Sequence, residues 1–377
     1  MKQLALIKFI KQYTNWKELL SNPPYCLKIK QDGQFFLFYY NQIESDFSLD
    51  EVKEARGVIL DSTNLSVARF AFRKFFNFGE PNNDVKIDWD SAVVSEKIDG
   101  SLVSAWWDRY EEKWQWSTSK TIRAWEAEVP NSVNCPYHNY QELIDKALKD
   151  CLFDEQSFSR SYTYNFELVS PYTQVVIPYE KPKLYFLCAV NNETLEEIPC
   201  WDYPSTWDKP CRFAFKGYQA CREMADQLPW DEEGYVVRDK LGNRVKIKSP
   251  AYVKAHYFRN NNVVTKKKLI QIILDNEIGE FLTYCPDYEE AIDKIEWAMA
   301  SVRFQCQVGL SSMNVYSGNQ WRNWTGEQIR MVMEKLPRCR LAYVQNYIWL
   351  NWKNCNLLPA EYLKKFTARQ WEKILNL

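Results

Sequence analysis

The sequence predicts an α+β fold in two domains. Residues 1–254 are expected to form antiparallel sheets with flanking helices, and residues 255–377 an all-helical C-terminal domain. Strand-like segments follow one another in runs through the first 250 residues, which favours antiparallel pairing over a doubly wound sheet. After about Ala255, apolar residues recur at three- and four-residue spacing, as in amphipathic helices. A chain of 377 residues is long enough for two domains, each with its own core.

Eight segments of the first domain carry a strand signal. In chain order they are Gln34–Tyr40, Ser66–Phe72, Ala92–Glu96, Leu102–Trp107, Tyr162–Val169, Lys183–Val190, Gly234–Arg238 and Arg244–Lys248. The first segment follows an Asp32-Gly33 turn. The last two flank a short polar loop at residues 239–243, which predicts a β-hairpin.

The C-terminal domain shows helical periodicity over Lys268–Ile278 and Tyr288–Gln305. Three pairs place a cap side chain three residues before a Glu or Gln, which is typical of a helix start: Asp287 with Glu290, Thr325 with Gln328 and Thr367 with Gln370. From Ala255 onward there are 16 basic against 12 acidic residues, a balance compatible with nucleic-acid binding.

Composition excludes several classes of protein. No apolar run approaches the roughly 18 residues that span a bilayer, and the lysine-interrupted start does not read as a signal peptide. Eleven scattered cysteines without a C-x-x-C pair indicate reduced thiols, and hence a cytoplasmic protein, rather than a disulfide framework or zinc site. With His138 and His256 as the only histidines, lysine and carboxylate side chains have to carry any chemistry.

Lys97-Ile98-Asp99-Gly100 matches K-x-D-G, a pattern used for nucleotidyl transfer through a lysine–AMP phosphoramidate. A lysine amine attacks only when unprotonated, and its free pKa is near 10.4, so cations or a metal must assist. Gly100 allows a tight turn and close backbone approach. The pattern arises by chance in roughly one chain of this length in ten, and a solvated turn is the alternative.

Two further segments supply the charges that such a lysine needs. Glu233 immediately precedes a predicted strand, and the next strand carries Lys246-Ile247-Lys248. Strand alternation places Lys246 and Lys248 on one face, where two cations can hold phosphates and stabilise developing charge.

Other segments complete an ordered series of motifs. They are Tyr40, Glu54-Ala55-Arg56-Gly57-Val58, Arg73-Lys74-Phe75-Phe76-Asn77-Phe78-Gly79-Glu80, Lys120 in Ser117-Thr118-Ser119-Lys120, and Asn165-Phe166-Glu167-Leu168-Val169-Ser170-Pro171. With Lys97, Glu233 and the K-x-K strand, this series resembles the ATP-dependent RNA ligases of the T-even phage RNA ligase 1 type. The resemblance runs from about Tyr40 to His256. The residues around Lys120 differ from the family pattern, and Tyr40 matches only with a one-residue gap.

The resemblance implies a nucleotidyltransferase domain in which Lys97 is the nucleophile. It implies ATP binding by Tyr40, Arg56, Lys74, Phe76, Asp99, Gly100, Lys120, Glu167, Glu233, Lys246 and Lys248. It also implies Mg²⁺ (or Mn²⁺) held mainly through water by Asp99, Glu167 and Glu233. The implied reaction joins RNA ends that carry a 5′-phosphate and a 3′-hydroxyl, through lysyl-AMP and RNA-adenylate. We expect a monomer that acts in RNA repair, with tRNA among the candidate substrates and a phage-encoded origin compatible with the sequence.

Three alternatives remain open at this point. An mRNA-capping guanylyltransferase or a DNA ligase shares the lysine chemistry, although each would carry an OB-fold of short strands after the K-x-K segment. A non-catalytic RNA-binding relative would have altered motif residues. In the C-terminal domain, Lys266-Lys267-Lys268 could contact phosphates and six tryptophans could stack on bases, but a solvated helix end for the lysines and helix packing for most of the tryptophans are favoured.

Overall fold

The computed structural model describes residues 3–80, 83, 85–129, 135–150, 158–257, 264–353 and 357–375. The chain forms two compact units, Met1–Arg259 and Asn260–Leu377. The first mixes antiparallel sheets with helices and the second is helical, so the predicted α+β class is confirmed. The boundary predicted after residue 254 would cut the helix Pro250–Tyr257, which follows the K-x-K strand within the first unit.

Within its described residues, the first unit has three sheets. The first sheet has the order β1-β2-β3-β4, with β1 (Lys28–Asp32), β2 (Phe35–Tyr39), β3 (Arg56–Asp61) and β4 (Val67–Arg69). The second has the order β10-β9-β8-β6-β7, with β6 (Ser101–Asp108), β7 (Lys113–Thr118), β8 (Tyr162–Val169), β9 (Lys183–Asn191) and β10 (Glu197–Pro199). The third has the order β11-β5-β12-β13, with β5 (Val93–Glu96), β11 (Arg212–Phe213), β12 (Gly234–Arg238) and β13 (Arg244–Lys248).

Helices cover the outer faces of these sheets. They are α1 (Ala5–Gln12), α2 (Trp16–Ser21), α3 (Asp50–Glu54), α4 (Tyr140–Asp150), α5 (Tyr218–Ala225) and α6 (Pro250–Tyr257). The apolar side of α1 packs on Phe36 and Phe38 of the first sheet, whereas the opposite face of that sheet packs on Trp106 of the second. Burial of these apolar faces is what holds the layers together.

Every predicted strand is present, but some bounds differ. The segment predicted over Ser66–Phe72 pairs only at Val67–Arg69, because the N–H of Phe70 donates to the hydroxyl of Thr163 at 3.1 Å rather than to a neighbouring strand. The hairpin predicted at residues 239–243 is confirmed: β12 and β13 pair antiparallel, and the carboxylate of Asp239 accepts from the N–H of Leu241 and of Asn243, both at 2.9 Å.

The second unit consists of helices in its described residues. They are α7 (Lys266–Leu274), α8 (Ile278–Tyr284), α9 (Glu289–Ser317), α10 (Gly326–Lys335), α11 (Ala342–Lys353), α12 (Pro359–Leu363) and α13 (Ala368–Leu375). The helix predicted over Lys268–Ile278 is broken, since Asn276 has a φ of +56° between α7 and α8.

Two of the three predicted helix starts are confirmed. Thr325 with Gln328 forms a capping box, and Thr367 and Gln370 exchange the same pair of hydrogen bonds. The start predicted at Asp287 is wrong, because that residue lies inside a 3₁₀ turn that begins at Pro286, and α9 begins two residues later without a side-chain cap.

None of the helices in the described part of the chain combines the length and the apolar character needed to cross a membrane. The nine cysteines that the structure describes are all free, in agreement with the prediction of reduced thiols.

Candidate active site

The Lys97 turn connects two sheets. It leaves β5 of the third sheet, and β6 of the second sheet begins at Ser101, directly after Gly100. The N–H of Lys97 donates to the carbonyl of Gly234 at 2.8 Å, which fixes the turn to the start of β12. A Cβ at Gly100 would lie 2.4 Å from the carbonyl oxygen of Leu168 in β8. Only glycine therefore lets the turn pack this closely against β8.

Lys97 forms an ion pair with Glu233, and the same carboxylate also holds Lys248. The ammonium of Lys97 donates to Oε2 of Glu233 at 2.7 Å, and Nζ of Lys248 lies 3.4 Å from Oε1. Glu233 is buried, and both lysines are mostly buried. The register explains the meeting, since Gly234 pairs with Lys248 across the hairpin. Two cations on one buried carboxylate form a preorganised site for an anionic substrate.

A second carboxylate, Glu167, lies close to this group on β8. The pKa of Glu167 is raised to about 7, mainly by burial. The cations of Lys97 and Arg56 oppose this rise, and the carboxylates of Glu233 and Asp99 add to it. Such a shifted carboxyl within a charged cluster is typical of a functional site.

Both carboxylate oxygens of Asp99 accept hydrogen bonds from the protein itself. Its Oδ2 accepts from the N–H groups of Val176 and Ile177, both at 2.9 Å, and its Oδ1 accepts from the hydroxyl of Tyr252 at 2.8 Å. Asp99 and Tyr252 are both buried. These hydrogen bonds fix the turn that carries Lys97, and all three donors lie outside the Lys97–Gly100 motif.

The raised pKa of Glu167 predicts a specific pH dependence of stability. The pKa of this carboxyl is near 7 in the folded chain and about 4.5 in the unfolded chain. Its contribution to the free energy of unfolding is therefore complete below about pH 4.5 and is lost as the pH rises through 7. The isosteric Glu167→Gln change removes this loss. We expect the variant to gain roughly 2–3 kcal/mol in unfolding free energy relative to wild type between pH 5 and pH 8. Urea unfolding of both proteins at pH 5 and pH 8 measures this gain. If the unfolding free energies of wild type and Glu167→Gln changed equally between the two pH values, the raised pKa of Glu167 would be contradicted.

A group of cations surrounds Tyr40 at the end of the first sheet. The ammonium of Lys74 lies 5.1 Å from the centre of the Tyr40 ring and donates to Oε1 of Gln42 at 3.3 Å. Burial raises the pKa of Tyr40, but the cations of Lys74, Arg56 and Lys120 together outweigh it and leave that pKa below its ordinary value. An aromatic ring among three cations suits a nucleotide, whose base can stack and whose phosphates need positive charge.

Gly57 allows the segments that carry Arg56 and Lys120 to lie close together. Its φ is +80°, and a Cβ there would lie 2.8 Å from the backbone of Ser119 and 2.3 Å from the guanidinium of Arg69. Glycine is therefore required for the strand that begins with Arg56 to pass this close to the loop that carries Lys120. Glu54, the first residue of the same motif, accepts the N–H of Leu6 at 3.0 Å and so holds the start of α1.

The segment that contains Lys74 runs alongside β13. The N–H of Lys246 donates to the carbonyl of Phe76 at 3.0 Å, and the N–H of Phe78 donates to the carbonyl of Lys246 at 2.9 Å. The predicted alternation on β13 is confirmed, because Val245 and Ile247 are buried whereas the lysines on either side of Ile247 are partly exposed.

Phe75 is a candidate that the motif comparison missed. Its ring centre lies 5.4 Å from the guanidinium carbon of Arg56 and 5.4 Å from the ammonium of Lys246, so both cations contact the same ring. Phe76 is buried in the core, and Lys74 lies 5.7 Å from its ring. Strand alternation could have distinguished the two rings, because neighbouring residues of an extended segment face opposite sides.

The structure thus places the predicted residues in two neighbouring groups. The Lys97 group comprises Lys97, Asp99, Gly100, Glu167, Glu233 and Lys248. The Tyr40 group comprises Tyr40, Arg56, Lys74, Phe76 and Lys120. Arg56 connects them, since its charge acts on both Tyr40 and Glu167, and Lys246 meets Arg56 through Phe75.

The same residues do not form a direct metal-binding cluster. In the part of the chain that the structure describes, no three His, Cys, Asp or Glu side chains are grouped to hold a metal ion. Glu167 and Glu233 nevertheless fit a hard divalent cation in contact through water. Burial chiefly, and the charge of Glu233 in addition, raise the pKa of Glu167, and a cation beside the two carboxylates would relieve both effects. The oxygens of Asp99 are already engaged by N–H and O–H donors.

Comparison with known proteins places this site in a family. A family model described as RNA ligase matches residues 54–252, which is more than half of the chain and includes every candidate residue except Tyr40. The chain belongs to the RNA ligase family. The resemblance to RNA ligases of the phage RNA ligase 1 type, based on ordered motifs, is thereby confirmed.

This RNA ligase family member covers a different share of each relative's length. A protein of Autographa californica nuclear polyhedrosis virus, named as a bifunctional polynucleotide kinase/RNA ligase, is 30% identical over 289 residues, 71% of this chain and 40% of that protein. The RNA ligase of Rhodothermus phage RM378 is 23% identical over 342 residues, 74% of this chain and 76% of that protein. A solved archaeal ATP-dependent RNA ligase aligns at 9% identity with a TM-score of 0.45, over 72% of this chain and 68% of that chain.

Proposed function

We propose that this chain is an ATP-dependent RNA ligase that joins a 5′-phosphate to a 3′-hydroxyl through lysyl-AMP at Lys97 and an RNA-adenylate. The observation that carries the proposal is the buried Lys97–Glu233–Lys248 ion-paired group beside the Tyr40 cations. Membership of the RNA ligase family supports RNA as the substrate.

The proposed reaction has three steps. The amine of Lys97 gives up a proton and attacks the α-phosphorus of ATP, so an N–P bond forms and the P–O bond to pyrophosphate breaks. The 5′-phosphate of RNA then attacks the same phosphorus and releases the amine. Finally the 3′-hydroxyl attacks the RNA phosphate and AMP leaves. Glu233, which accepts the hydrogen bond of Lys97 at 2.7 Å, is placed to receive the first proton.

The surrounding residues divide the work of binding ATP. We assign the base and ribose to the neighbourhood of Tyr40 and Arg56, and the phosphates to the cations. The phosphate-binding residues are Arg56, Lys74, Lys120, Lys246 and Lys248. Asp99 and Gly100 shape the Lys97 turn. The ring of Phe76 contacts the ammonium of Lys74. Preorganised cations of this kind stabilise the charge that develops in phosphoryl transfer.

Glu167 and Glu233 would hold Mg²⁺ or Mn²⁺ through water. The cation supplies electrophilic polarisation of the phosphate and neutralises its charge. Asp99 contributes by positioning the turn in this assignment.

The proposed substrate is RNA with a 5′-phosphate and a 3′-hydroxyl. A tRNA in RNA repair is one candidate. A monomer in the cytoplasm remains part of the proposal. The helical second unit is proposed as an RNA-binding domain, on the strength of its excess of basic residues.

A joining assay tests the proposal. A 5′-phosphorylated single-stranded RNA is incubated with the full chain, Mg²⁺ and either ATP or GTP. We expect joined or circular RNA with ATP, none with GTP, none from RNA that lacks the 5′-phosphate, and loss of product after chelation that Mg²⁺ or Mn²⁺ restores. Joined product with GTP but not with ATP would contradict the proposal. Joining of a 5′-phosphorylated DNA of the same sequence, assayed in parallel, without joining of the RNA would also contradict it and favour a DNA ligase. Transfer of GMP to the RNA without joining would favour a capping enzyme.

A further inference from the structure

Exposed lysines continue outward from the Tyr40 group along the edge of the first sheet. Lys28 and Lys30 are two residues apart on β1, an edge strand, so both project from the same face. Lys28 pairs directly with Tyr39, the residue before Tyr40. These two lysines and Lys120 are exposed, and together they are called the basic strip.

Contacts within the basic strip hold it together. The ammonium of Lys30 donates to the carbonyl oxygen of Lys120 at 3.0 Å and lies 5.7 Å from the centre of the Tyr39 ring. The carboxylate of Asp32, at the end of the same strand, is paired with Arg123 at 3.2 Å. Arg123 also pairs with Asp108 and Glu111, so it offsets the charge of Asp32 only in part. On this face of β1, Lys28 and Lys30 still outnumber the single carboxylate of Asp32.

An exposed tryptophan follows in the short 3₁₀ helix Ala124–Glu126. Trp125 is 59% exposed and lies two residues after Arg123, whose side chain holds that segment against β1 through Asp32. Trp125 also follows Lys120 by five residues along the chain. Exposed aromatic rings and rows of cations together are the usual combination for binding single-stranded nucleic acid, because bases stack on the rings and phosphates contact the cations.

We propose that the basic strip binds the phosphate backbone of the single-stranded RNA substrate next to its reacting end, and that Trp125 stacks on one of its bases. The inference rests on the proposed function and adds the surface along which the RNA lies. ATP accounts for Lys120, which with Lys74 and Arg56 acts on Tyr40, but it does not account for Lys28 and Lys30, which lie farther along an exposed edge. A polyanion longer than one nucleotide does account for it.

The test is the affinity of the full chain for a 5′-phosphorylated single-stranded RNA, measured by fluorescence anisotropy over a series of salt concentrations. The variant is Lys28→Glu with Lys30→Glu. The matched control is Lys8→Glu with Lys11→Glu, two exposed lysines of α1, which covers the opposite face of the same sheet.

We expect the strip variant to bind RNA at least about tenfold more weakly and the control pair to bind within about twofold of wild type. Loss of two phosphate contacts should lower the slope of log affinity against log salt by about 1.4 in magnitude, at roughly 0.7 per contact on a single strand. Trp125→Ala should weaken binding without changing that slope, because stacking releases no counterions.

The single variant Lys28→Glu guards against a disturbed Lys120 loop, since Lys30 bonds that loop and Lys28 does not. We expect it to weaken binding and to lower the slope by about 0.7. Unchanged affinity and slope in both strip variants, or an equal loss in the control pair, would overturn the inference. Covalent labelling by ATP is measured on the same preparations. If wild-type protein bound RNA through the basic strip but took up no AMP, the proposed ligase function would be contradicted, whereas the inference that the strip binds RNA would stand.

Discussion

Replacement of Lys97 with alanine is expected to abolish RNA joining from ATP, with a loss of at least about 10³-fold, as is usual when an enzyme loses its nucleophile. The reason is chemical: without the amine no N–P bond can form, and neither Lys248 nor Lys246 occupies the turn that connects the second and third sheets. The measurement is the rate of joining of 5′-phosphorylated RNA with ATP and Mg²⁺.

Two controls make the Lys97→Ala result specific. Lys149→Ala, at an exposed position on α4, should join RNA at the wild-type rate. RNA supplied already adenylylated should still be sealed by Lys97→Ala, because the AMP no longer has to pass through the lysine. If Lys97→Ala retained joining from ATP, or failed to seal RNA that was already adenylylated while remaining folded, the assignment of Lys97 as nucleophile would not hold.

Gly100→Ala is expected to reduce lysyl-AMP formation by about 10²-fold or more. The added Cβ would meet the carbonyl oxygen of Leu168 at 2.4 Å and Cγ of Glu167 at 3.0 Å. The first of these is backbone in β8, paired with Ser101 of β6, and cannot move aside without breaking that pairing. The turn must shift instead, and a displacement of about 1 Å at a reacting group costs on the order of 10²-fold.

Gly33→Ala is the matched control for this change. Gly33 has a φ of +52° and its Cβ would meet no atom within 4 Å, so the substitution introduces backbone strain without a clash. We expect it to destabilise the chain by about 1 kcal/mol and to leave AMP transfer near the wild-type rate. Thermal unfolding with the rate of covalent labelling measures both variants. Equal rates for Gly100→Ala and Gly33→Ala would show that the close packing at Gly100 does not govern the site.

The sequence predicted the parts of the site that depend on local motifs. Lys97, Glu233 and Lys248 meet because a short turn and a hairpin bring them together, and both were visible as a glycine turn and alternating strands. The contacts of Asp99 were not predictable in this way. They come from Val176, Ile177 and Tyr252, more than seventy residues away along the chain, and no periodicity reports such long-range hydrogen bonds.

Parts of the fold were missed for a similar reason. Most of β3 is buried, so it lacks the alternation of a half-exposed strand, and α1 and α2 are short helices without side-chain caps. The opposite error occurred at Asn276, where an apolar period continued across a residue with a left-handed backbone. Sequence periodicity thus reports local environment, whereas tertiary packing decides which segments pair and where they end.

The most direct test of the central claim is the position of the AMP adduct. Wild-type protein is incubated with ATP and Mg²⁺ without RNA, digested, and analysed by mass spectrometry. We predict a single AMP on the peptide that contains Lys97, and none on the same peptide from Lys97→Ala. An adduct on Lys74, Lys246 or Lys248, or no adduct on any lysine of the wild-type chain, would contradict the assignment of Lys97 as the nucleophile.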